Sequence, residues 1–443
     1  MKIDRRFQNF MMVMPDGTIK MIHPLTGREA WSVPGRSSRP ITNALPEGAR
    51  PLDPREVEDY CNFCQAKYWN TPPEKDRLVM RDGALTSLSG LGAKQLSDTV
   101  AEFRRIPNLF EIITYEYWVE NYGYKLSPKN ARRMEAYLST DEGRRHVLGT
   151  IEMKLRLSGR LAEEIEKLSE MDKIRLAEAF FGGGHELIIA RRHYKPGATH
   201  DVHLASSGEL TPEEHFQYMQ FTVQAIQAIY ADNRYVRYVV TFQNWLRPAG
   251  ASFDHLHKQL VGLDAWGTFI EREAQMVRQN PQVYNEDVVN FAGYQNRIIA
   301  ENDHAVLFAD IGHRYPTLVI YSKSRHLRPW EHTPEEIRGV SDLVQAAHCA
   351  QGNQVSCNEE WYYAPRDSLD RIPWHILIKW RVNNPAGFEG GTAIYINPIG
   401  PFDVRDAVVP RLYDLRARGI VGNFRIAEEC SCEPNPLRYL DEG

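Results

Sequence analysis

Residues 250–259 read Gly250-Ala251-Ser252-Phe253-Asp254-His255-Leu256-His257-Lys258-Gln259, and Phe242-Gln243-Asn244 comes shortly before them. Residues 239–242 predict a strand, because three of the four are β-branched and the last is aromatic. The run Pro248-Ala249-Gly250 ends this strand, and residues 255–261 resume an extended pattern. We therefore predict two strands joined by a turn of small residues.

Three polar side chains share one face of the second predicted strand. Side chains alternate across a strand, so His255, His257 and Gln259 point the same way. Backbone amides of a small-residue turn can approach a phosphate, and a neutral imidazole can attack a phosphoryl group when a neighbour fixes its tautomer. Two histidines at this spacing also occur by chance on a polar strand face. The glutamine and the turn favour phosphate chemistry, with His257 expected to be exposed at the mouth of a pocket.

A known family carries the same combination of motifs. Phe242-x-Asn244, Gly250-Ala251-Ser252 and His255-x-His257-x-Gln259 together resemble the active-site signature of the galactose-1-phosphate uridylyltransferase branch of the histidine triad superfamily. That branch includes nucleoside-polyphosphate and ADP-sugar phosphorylases. The resemblance covers most of residues 23–110 and 185–410. It implies an α+β fold of duplicated histidine-triad-like units, with antiparallel sheets flanked by helices.

Length and composition describe an ordinary globular chain. The 443 residues suggest two or three domain-sized units, and 42% are hydrophobic and 25% charged. A net charge of −5 gives no electrostatic case for binding nucleic acid. No apolar run long enough for a signal peptide or a membrane span is present, and six scattered cysteines do not form a disulfide framework. We expect a cytoplasmic protein without nucleic-acid or membrane partners.

A Cys-x-x-Cys motif, Cys61-Asn62-Phe63-Cys64, precedes the run Thr71-Pro72-Pro73-Glu74. Two thiolates at this spacing supply half of a tetrahedral zinc site, and a redox pair is the alternative. The whole run resembles the family's zinc element, which implies two histidine ligands, here His203 and His255. His193 and His200 are alternatives to His203, which we favour for its eight-residue distance from Thr211. The implied zinc ion is structural and tethers the N-terminal segment to the catalytic strand.

Several further residues acquire substrate-binding roles only through the resemblance. The segment from His23 to Pro40 is similar to a family element that contacts the nucleotide and phosphates, which implies roles for Arg36 and Arg39, although a solvated basic loop is the alternative. Asn108 lies in a Pro-Asn-x-Phe segment near the nucleotide. The remaining implied ligand contacts are Asn244, Gly250 and Ser252.

Residues 119–180 lie outside the resemblance and predict a helical insertion. Apolar residues recur at helical spacing among glutamates and lysines, which predicts one amphipathic helix through Leu161, Ile165, Leu168, Met171 and Ile174. Similar periodicity predicts earlier helices around Met134, Tyr137, Val147, Leu148 and Ile151. We predict four segments: an N-terminal strand and zinc segment (1–118), this insertion (119–180), the rest of the catalytic unit (181–285) and a second unit (286–443).

An internal repeat supports the duplication. Each unit carries a strand, a histidine, a Thr-Pro-Glu-Glu helix start and a second histidine-bearing strand; the helix starts are Thr211 and Thr333. Aligning the two copies predicts that His255 corresponds to His375, His257 to Leu377 and Gln259 to Lys379. Only the first copy then retains the nucleophile.

A second metal site and a partner interface are also implied by the resemblance. The family often binds iron or zinc through a glutamate and three histidines, and Glu273, His326 and His375 fall at three of these positions. Ordinary core residues are the alternative. Residues 387–398 resemble a segment that forms the acceptor pocket across a dimer interface, so we expect a homodimer.

The resemblance implies that His257 attacks the α-phosphorus of a nucleotide donor and that Gln259 donates a hydrogen bond to a non-bridging oxygen. The expected function is transfer of a nucleoside monophosphate between a nucleotide sugar and a sugar phosphate. Asp254 and Lys258 flank the histidines, whereas the sugar transferases carry proline and glycine around them. The resemblance therefore does not identify the sugar of the substrate. The alternatives are a phosphorylase or hydrolase of dinucleotides or nucleotide sugars, and an inactive zinc-stabilised nucleotide-binding protein.

Overall fold

A computed structural model describes residues 10–35, 48–53, 55 and 57–441. Within these ranges the strands, in chain order, are β1 (Met11–Val13), β2 (Ile19–Ile22), β3 (Glu29–Ser32), β4 (Asp76–Arg81), β5 (Ala84–Ser89), β6 (Ala101–Pro107), β7 (His185–Ala190), β8 (Tyr238–Trp245), β9 (His257–Leu263), β10 (Ile298–Glu301), β11 (Ala305–Asp310), β12 (Thr317–Ser322), β13 (Cys357–Tyr362), β14 (His375–Trp380), β15 (Ile394–Asn397) and β16 (Arg425–Ile426).

The strands of this part of the chain form two sheets. Twelve of them make one antiparallel sheet in the order β16-β10-β11-β12-β14-β13-β8-β9-β7-β6-β4-β5. The smaller sheet has the order β1-β2-β3-β15, and β15 pairs with β3 in parallel. With helices packed on the large sheet, the predicted α+β class is confirmed.

The helices are α1 (Tyr115–Tyr122), α2 (Pro128–Leu138), α3 (Asp141–Leu157), α4 (Ala162–Glu166), α5 (Glu170–Leu176), α6 (Glu178–Gly182), α7 (Pro212–Asp232), α8 (Thr268–Gln279), α9 (Asn290–Tyr294), α10 (Pro334–Gln351), α11 (Gly387–Thr392) and α12 (Pro401–Ala417). A π-helical turn, Tyr284–Val289, leads into α9, and short 3-10 segments connect other elements. Among the described residues, no helix has both the length and the apolar character that a membrane span requires.

Six of these helices, α1 to α6, lie between β6 and β7 and form the helical insertion. The single amphipathic helix predicted across residues 161–174 is wrong, because α4 ends at Glu166 and α5 begins at Glu170. The Ser169 hydroxyl accepts a hydrogen bond from the amide of Asp172 and so starts a new helix. Met171 is consequently 66% exposed.

Two equivalent helices lie inside the two halves, α7 between β7 and β8 and α10 between β12 and β13. The hydroxyl of Thr211 accepts from the amide of Glu214, whose carboxylate accepts from the Thr211 amide, and a proline occupies the first turn of α7. Thr333 and Glu336 repeat this arrangement at the start of α10. Both ends are capping boxes, as the Thr-Pro-Glu-Glu sequences predict.

The large sheet has an internal two-fold relationship about the β8–β13 pair. On one side β9, β7, β6, β4 and β5 follow in order, and on the other β14, β12, β11, β10 and β16 take the same places. The two halves therefore meet as one continuous sheet, and each half contributes six strands. This agrees with the duplication predicted from the sequence repeat.

The register of the two halves corrects the predicted alignment of the histidines. Ile189 lies opposite His257, and Tyr321 lies opposite His375, in each case next to the last residue of the six-residue strand. The amide of Ala190 donates to Leu256, just as the amide of Ser322 donates to Trp374. His375 is therefore the counterpart of His257 and not of His255. By the same two-residue shift, Leu377 and not Lys379 takes the place of Gln259. A shift of two residues keeps every side chain on its face, so alternation in the sequence cannot detect it.

Candidate metal centre and active site

Four donor side chains converge beside the start of β9: Cys61, Cys64, His193 and His255. The two sulfur atoms lie 3.8 Å apart, the sulfur–nitrogen distances run from 3.4 to 3.8 Å, and the two Nδ1 atoms lie 3.2 Å apart. A tetrahedral zinc ion bound to two thiolates and two imidazoles gives corresponding edges of about 3.8, 3.5 and 3.3 Å. The donor set therefore has the shape of a tetrahedral metal site, and it can hold such an ion without rearrangement.

The hydrogen bonds around this cluster orient the ligating atoms. His255 Nε2 lies 2.7 Å from the main-chain oxygen of Ala190, at the end of β7, and donates to it. Its Nδ1 lone pair then faces the two sulfur atoms, which is the tautomer that a metal ligand needs. The amide of Cys64 donates to the carbonyl of Cys61, so a tight turn brings both thiols to one point.

The fourth member of the cluster is His193, so the choice of His203 is wrong. His203 Nδ1 instead accepts a hydrogen bond from the amide of Thr199, and its ring lies against His200. His193 follows the last residue of β7 by only three positions, and that strand also anchors His255. The distance to Thr211 that favoured His203 crosses an irregular loop and fixes no geometry.

His257 begins β9 next to the metal cluster. Its Nδ1 lies 2.7 Å from the main-chain oxygen of His255 and donates to it, which leaves the lone pair on Nε2. Within the described residues Nε2 makes no hydrogen bond, and it is not among the fully buried polar atoms without partners. Burial lowers the pKa of His257 to about 4, so the imidazole is neutral at neutral pH. A neutral imidazole with a fixed tautomer has the form of a nucleophile.

The prediction that His257 is exposed at the mouth of a pocket is wrong about its exposure. Only 4% of the residue's surface is accessible, because the ring of Phe63 packs edge-on against the imidazole at 5.4 Å between centroids. Phe63 lies between the two cysteines of the Cys-x-x-Cys turn and also packs on Phe253. The turn that carries the two candidate metal ligands thus also covers the imidazole.

Gln259 is held by His185, a histidine that no sequence motif singles out. His185 Nδ1 accepts from the amide of Ile112 at 3.1 Å, so its hydrogen is on Nε2, which lies 3.1 Å from Gln259 Oε1. Burial lowers the pKa of His185 to about 4 and keeps the ring neutral. With its oxygen engaged, Gln259 retains its amide hydrogens as donors. Asn108 Nδ2 lies 3.0 Å from the same His185 nitrogen.

The neighbouring strand contained the signal for His185. Leu187 lies opposite Gln259 in the β7–β9 pair, and His185 is two residues from Leu187 on the same face. Two histidine-bearing strands that pair as neighbours therefore bring His185 to Gln259. Which strands pair is not visible in the sequence, so the sequence assigns His185 no role.

Some of the predicted substrate-binding residues lie in and beside the turn before β9, and two lie outside the described residues. Asn244 Oδ1 accepts from Asn358 Nδ2 at 2.7 Å, and the same Asn358 amide donates to the carbonyl of Ala249, which ties β8 to the turn. Gly250 in that turn has a φ of +89°, which favours glycine, and Ser252 is exposed. Arg36 and Arg39 lie outside the described residues.

Lys258 lies on the opposite face of β9 from the two histidines. Its ammonium group forms a buried ion pair with Glu359 and faces the rings of Tyr218 and Trp361. Gln243 contributes a carbonyl oxygen at 3.4 Å. The lysine that follows His257 in sequence therefore belongs to the core behind the sheet.

The predicted second metal set is not assembled. Glu273 Oε1 lies 3.7 Å from His375 Nε2, but His326 does not join them in any metal-binding group of the described residues. His375 is instead stacked between Tyr321 and Tyr362, with ring planes within 15° of parallel. These aromatic faces fill the space on both sides of the imidazole, and His375 is a packed core residue.

Another buried group joins the small sheet to the second half of the large sheet. His313 Nε2 lies 2.7 Å from Asp310 Oδ2, and His23 Nε2 lies 3.6 Å from the same oxygen. His23 Nδ1 accepts from the amides of Leu25 and Thr26, so its hydrogen is on Nε2 and no lone pair faces the carboxylate. This group fits a hydrogen-bonded Asp–His pair better than a metal site.

The sequence matches one family model and one curated relative. A family model described as a domain of unknown function, DUF4921, matches residues 14–439. An ADP-glucose phosphorylase of Arabidopsis thaliana is 24% identical over 177 residues, which cover 38% of this chain and 50% of that relative. The chain therefore matches about half the length of that curated relative.

Two solved structures share the fold over most of the chain. The crystal structure of an Arabidopsis thaliana ADP-glucose phosphorylase with bound ADP-glucose has a TM-score of 0.56 and 17% identity, covering 88% of this chain and 97% of that one. A GalT-like protein of Arabidopsis thaliana has a TM-score of 0.54 and 16% identity, with 88% and 98% coverage. The fold implied by the sequence resemblance is confirmed.

Proposed function

Because this chain belongs to the DUF4921 family and has the fold of ADP-glucose phosphorylase, we propose that it is a nucleotidyltransferase acting on nucleotide sugars. The observation that carries the proposal is the state of His257: its Nδ1 hydrogen is fixed on the His255 carbonyl, and its Nε2 lone pair accepts no hydrogen bond from the described residues. An inactive nucleotide-binding protein has no need of a histidine prepared in this way.

In the first step, His257 Nε2 attacks the α-phosphorus of the nucleotide sugar. A P–N bond forms, the bond from the α-phosphorus to the bridging oxygen breaks, and the sugar phosphate leaves with that oxygen. Gln259 donates an amide hydrogen to a non-bridging oxygen as negative charge develops there. His185 holds the Gln259 oxygen and so directs its amide group.

In the second step, a phosphate oxygen of the acceptor attacks the same phosphorus and the P–N bond breaks. A sugar phosphate as acceptor gives a new nucleotide sugar, and inorganic phosphate gives a nucleoside diphosphate. The sugar phosphate is our first choice. The likeness to an ADP-glucose phosphorylase supports inorganic phosphate as the second candidate. Asn108, Asn244, Gly250, Ser252, Arg36 and Arg39 are proposed to bind the nucleotide and its phosphates.

We propose that Cys61, Cys64, His193 and His255 bind zinc. Two thiolates and two imidazoles at tetrahedral distances suit this ion, and a closed set of four protein ligands suits a structural role. Bound zinc would supply a cross-link between the N-terminal segment and β9. Phe63, between the two cysteines, and His257, two residues after His255, would then stay in contact because the cross-link joins their segments.

Product analysis tests the proposal. The protein is incubated with ADP-, UDP- or GDP-glucose alone, with galactose 1-phosphate or with inorganic phosphate, and products are separated by ion-exchange chromatography. A new nucleotide sugar supports the transferase, and a nucleoside diphosphate formed only with inorganic phosphate supports the phosphorylase. Free nucleoside monophosphate without an acceptor would indicate a hydrolase. Binding without any product, equal in wild type and His257→Ala, would contradict an enzymatic function.

A further inference from the structure

A cavity of about 450 Å³ lies between the helical insertion and the large sheet, apart from the residues proposed for catalysis. Helix α2 forms one wall, the ends of β4 and β6 form another, and the last turn of α7 closes a third side. The charged and polar residues that matter here are Lys75, Arg105, Lys129, Asn130, Arg133 and Asp232.

Two buried donors on the α2 wall have no acceptor among the described residues. Asn130 is 5% exposed, and its Nδ2 makes no hydrogen bond; the Nε of Arg133 is likewise buried and unpaired. The other end of the Arg133 guanidinium donates to the carbonyl of Glu74, which holds the group in place. Buried donors without partners are costly, so their presence on a cavity wall indicates a ligand with acceptor atoms.

Two cations of the α2 wall also form no ion pair with the described residues. Lys75 and Arg105 are both paired with Glu186, and Arg105 also reaches Asp76, so these cations are neutralised. Lys129 and Arg133, in contrast, have no carboxylate within 4.0 Å among the described residues. They lie one helical turn apart and therefore face the same side of α2.

The N-terminal end of α2 adds to the attraction for an anion. Helix α2 has 11 residues and begins at Pro128, so Lys129 and Asn130 belong to its first turn. Partial positive charge at a helix N-terminus favours anions. Asp232 on the α7 wall is the one lining carboxylate that forms no ion pair within the described ranges, and it can accept hydrogen bonds from hydroxyl groups.

We propose that this cavity binds a small phosphorylated, hydroxyl-bearing metabolite such as a sugar phosphate. Lys129, Asn130 and Arg133 bind the phosphate, and Asp232 accepts from hydroxyl groups at the opposite wall. The volume suits a molecule of this size. The site is built by an insertion that the resemblance does not cover, so it provides a second ligand site distinct from the one proposed for catalysis.

Hydrogen exchange measured by mass spectrometry tests this site locally. Inorganic phosphate, glucose 6-phosphate and glucose serve as probes, and protection is compared in peptides covering 127–138 and 255–263. We expect glucose 6-phosphate to protect 127–138 at lower concentrations than phosphate, and glucose to have no effect. Protection confined to 255–263 would show that phosphate binds only near β9 and would overturn the proposal.

Charge variants on one helix provide the matched comparison. Lys129→Glu reverses a charge that lines the cavity, whereas Arg132→Glu reverses an exposed charge that does not. We expect Lys129→Glu to raise the glucose 6-phosphate concentration that half-protects residues 127–138 by at least about tenfold. Arg132→Glu should leave this concentration nearly unchanged. Arg133→Met should act like Lys129→Glu. Equal responses of Lys129→Glu and Arg132→Glu would contradict the site.

Discussion

His257 Nδ1 donates to the main-chain oxygen of His255 at 2.7 Å, and the His255 side chain belongs to the Cys61–Cys64–His193 cluster. One residue therefore contributes its imidazole to the metal centre and its carbonyl to the proposed nucleophile. The geometry of the cluster is transmitted to His257 through a single peptide unit. This link joins the candidate metal centre to His257, which begins β9 two residues after His255.

Metal content distinguishes the two candidate histidine ligands. Wild type is expected to bind on the order of one zinc ion per chain, and His193→Ala should lose most of it because a four-ligand site loses one donor. His203→Ala should retain the ion, since His203 lies outside the cluster. Elemental analysis by mass spectrometry after gel filtration measures both variants. Retention in His193→Ala together with loss in His203→Ala would refute the ligand set.

A double-mutant cycle tests the role of His185 as a positioning residue. Gln259→Ala is expected to lower kcat by about 10²-fold, as loss of an oxyanion donor commonly does. His185→Ala should lower kcat by about tenfold with little change in KM, because Gln259 remains but is less well oriented. The double variant should be no slower than Gln259→Ala alone. Fully multiplicative effects would show that the two residues act independently.

Much of this site was predictable because strand alternation and motif spacing are local. Cys61, Cys64 and His255 were assigned through the resemblance and do meet in one cluster, and alternation places His257 and Gln259 on the same face of β9. The distance from Thr211 favours His203 over His193, and this criterion fails because a loop between a strand and a helix has no period that fixes position. His185 was missed because its contact with Gln259 depends on which strands pair, and pairing is a long-range property.

The fold shows the same division between local and long-range information. The helix starts at Thr211 and Thr333 were predicted because a capping box is a four-residue pattern. The two-residue error in aligning His375 arose because alternation repeats every two residues. The second metal set failed because Tyr321 and Tyr362, distant in sequence, stack on His375.

Alanine substitutions at two glycines of nearly the same φ distinguish the cost of backbone strain from the cost of a steric clash. Gly312 has φ +67°, and a Cβ there would lie 2.2 Å from the His23 amide nitrogen; Gly27 has φ +68° and open space. Gly27→Ala should cost about 1–2 kcal/mol of unfolding free energy. Gly312→Ala should cost roughly 3 kcal/mol or more, because the small sheet must move away. Urea unfolding measures both, and equal losses would show that the close approach to His23 is unimportant.

The free energy of unfolding should decrease as the pH is lowered, because His313 becomes protonated on unfolding. Burial lowers its pKa in the folded protein to about 4, against about 6.5 when unfolded. Between these values the unfolded chain binds more protons, so stability is present above about pH 6.5 and is lost as pH falls toward 4. At pH 5 the loss from this group is about 2 kcal/mol.

The His313→Gln variant isolates this contribution. It should be less stable than wild type at pH 7, because Asp310 loses a partner, but should lose less stability between pH 7 and pH 5. Urea unfolding at the two pH values gives the difference directly. The same pH dependence in both proteins would mean that His313 does not titrate in this range.

The most direct test of the account is the intact mass of the protein after incubation with a nucleotide sugar and no acceptor. Samples must be analysed without an acid quench, because a P–N bond is acid-labile. We predict a mass increase of one nucleotidyl group, a nucleoside monophosphate less one water, in wild type, its removal when phosphate or a sugar phosphate is added, and its absence in His257→Ala. An adduct that persists in His257→Ala, or turnover in wild type without any adduct, would contradict a covalent role for His257.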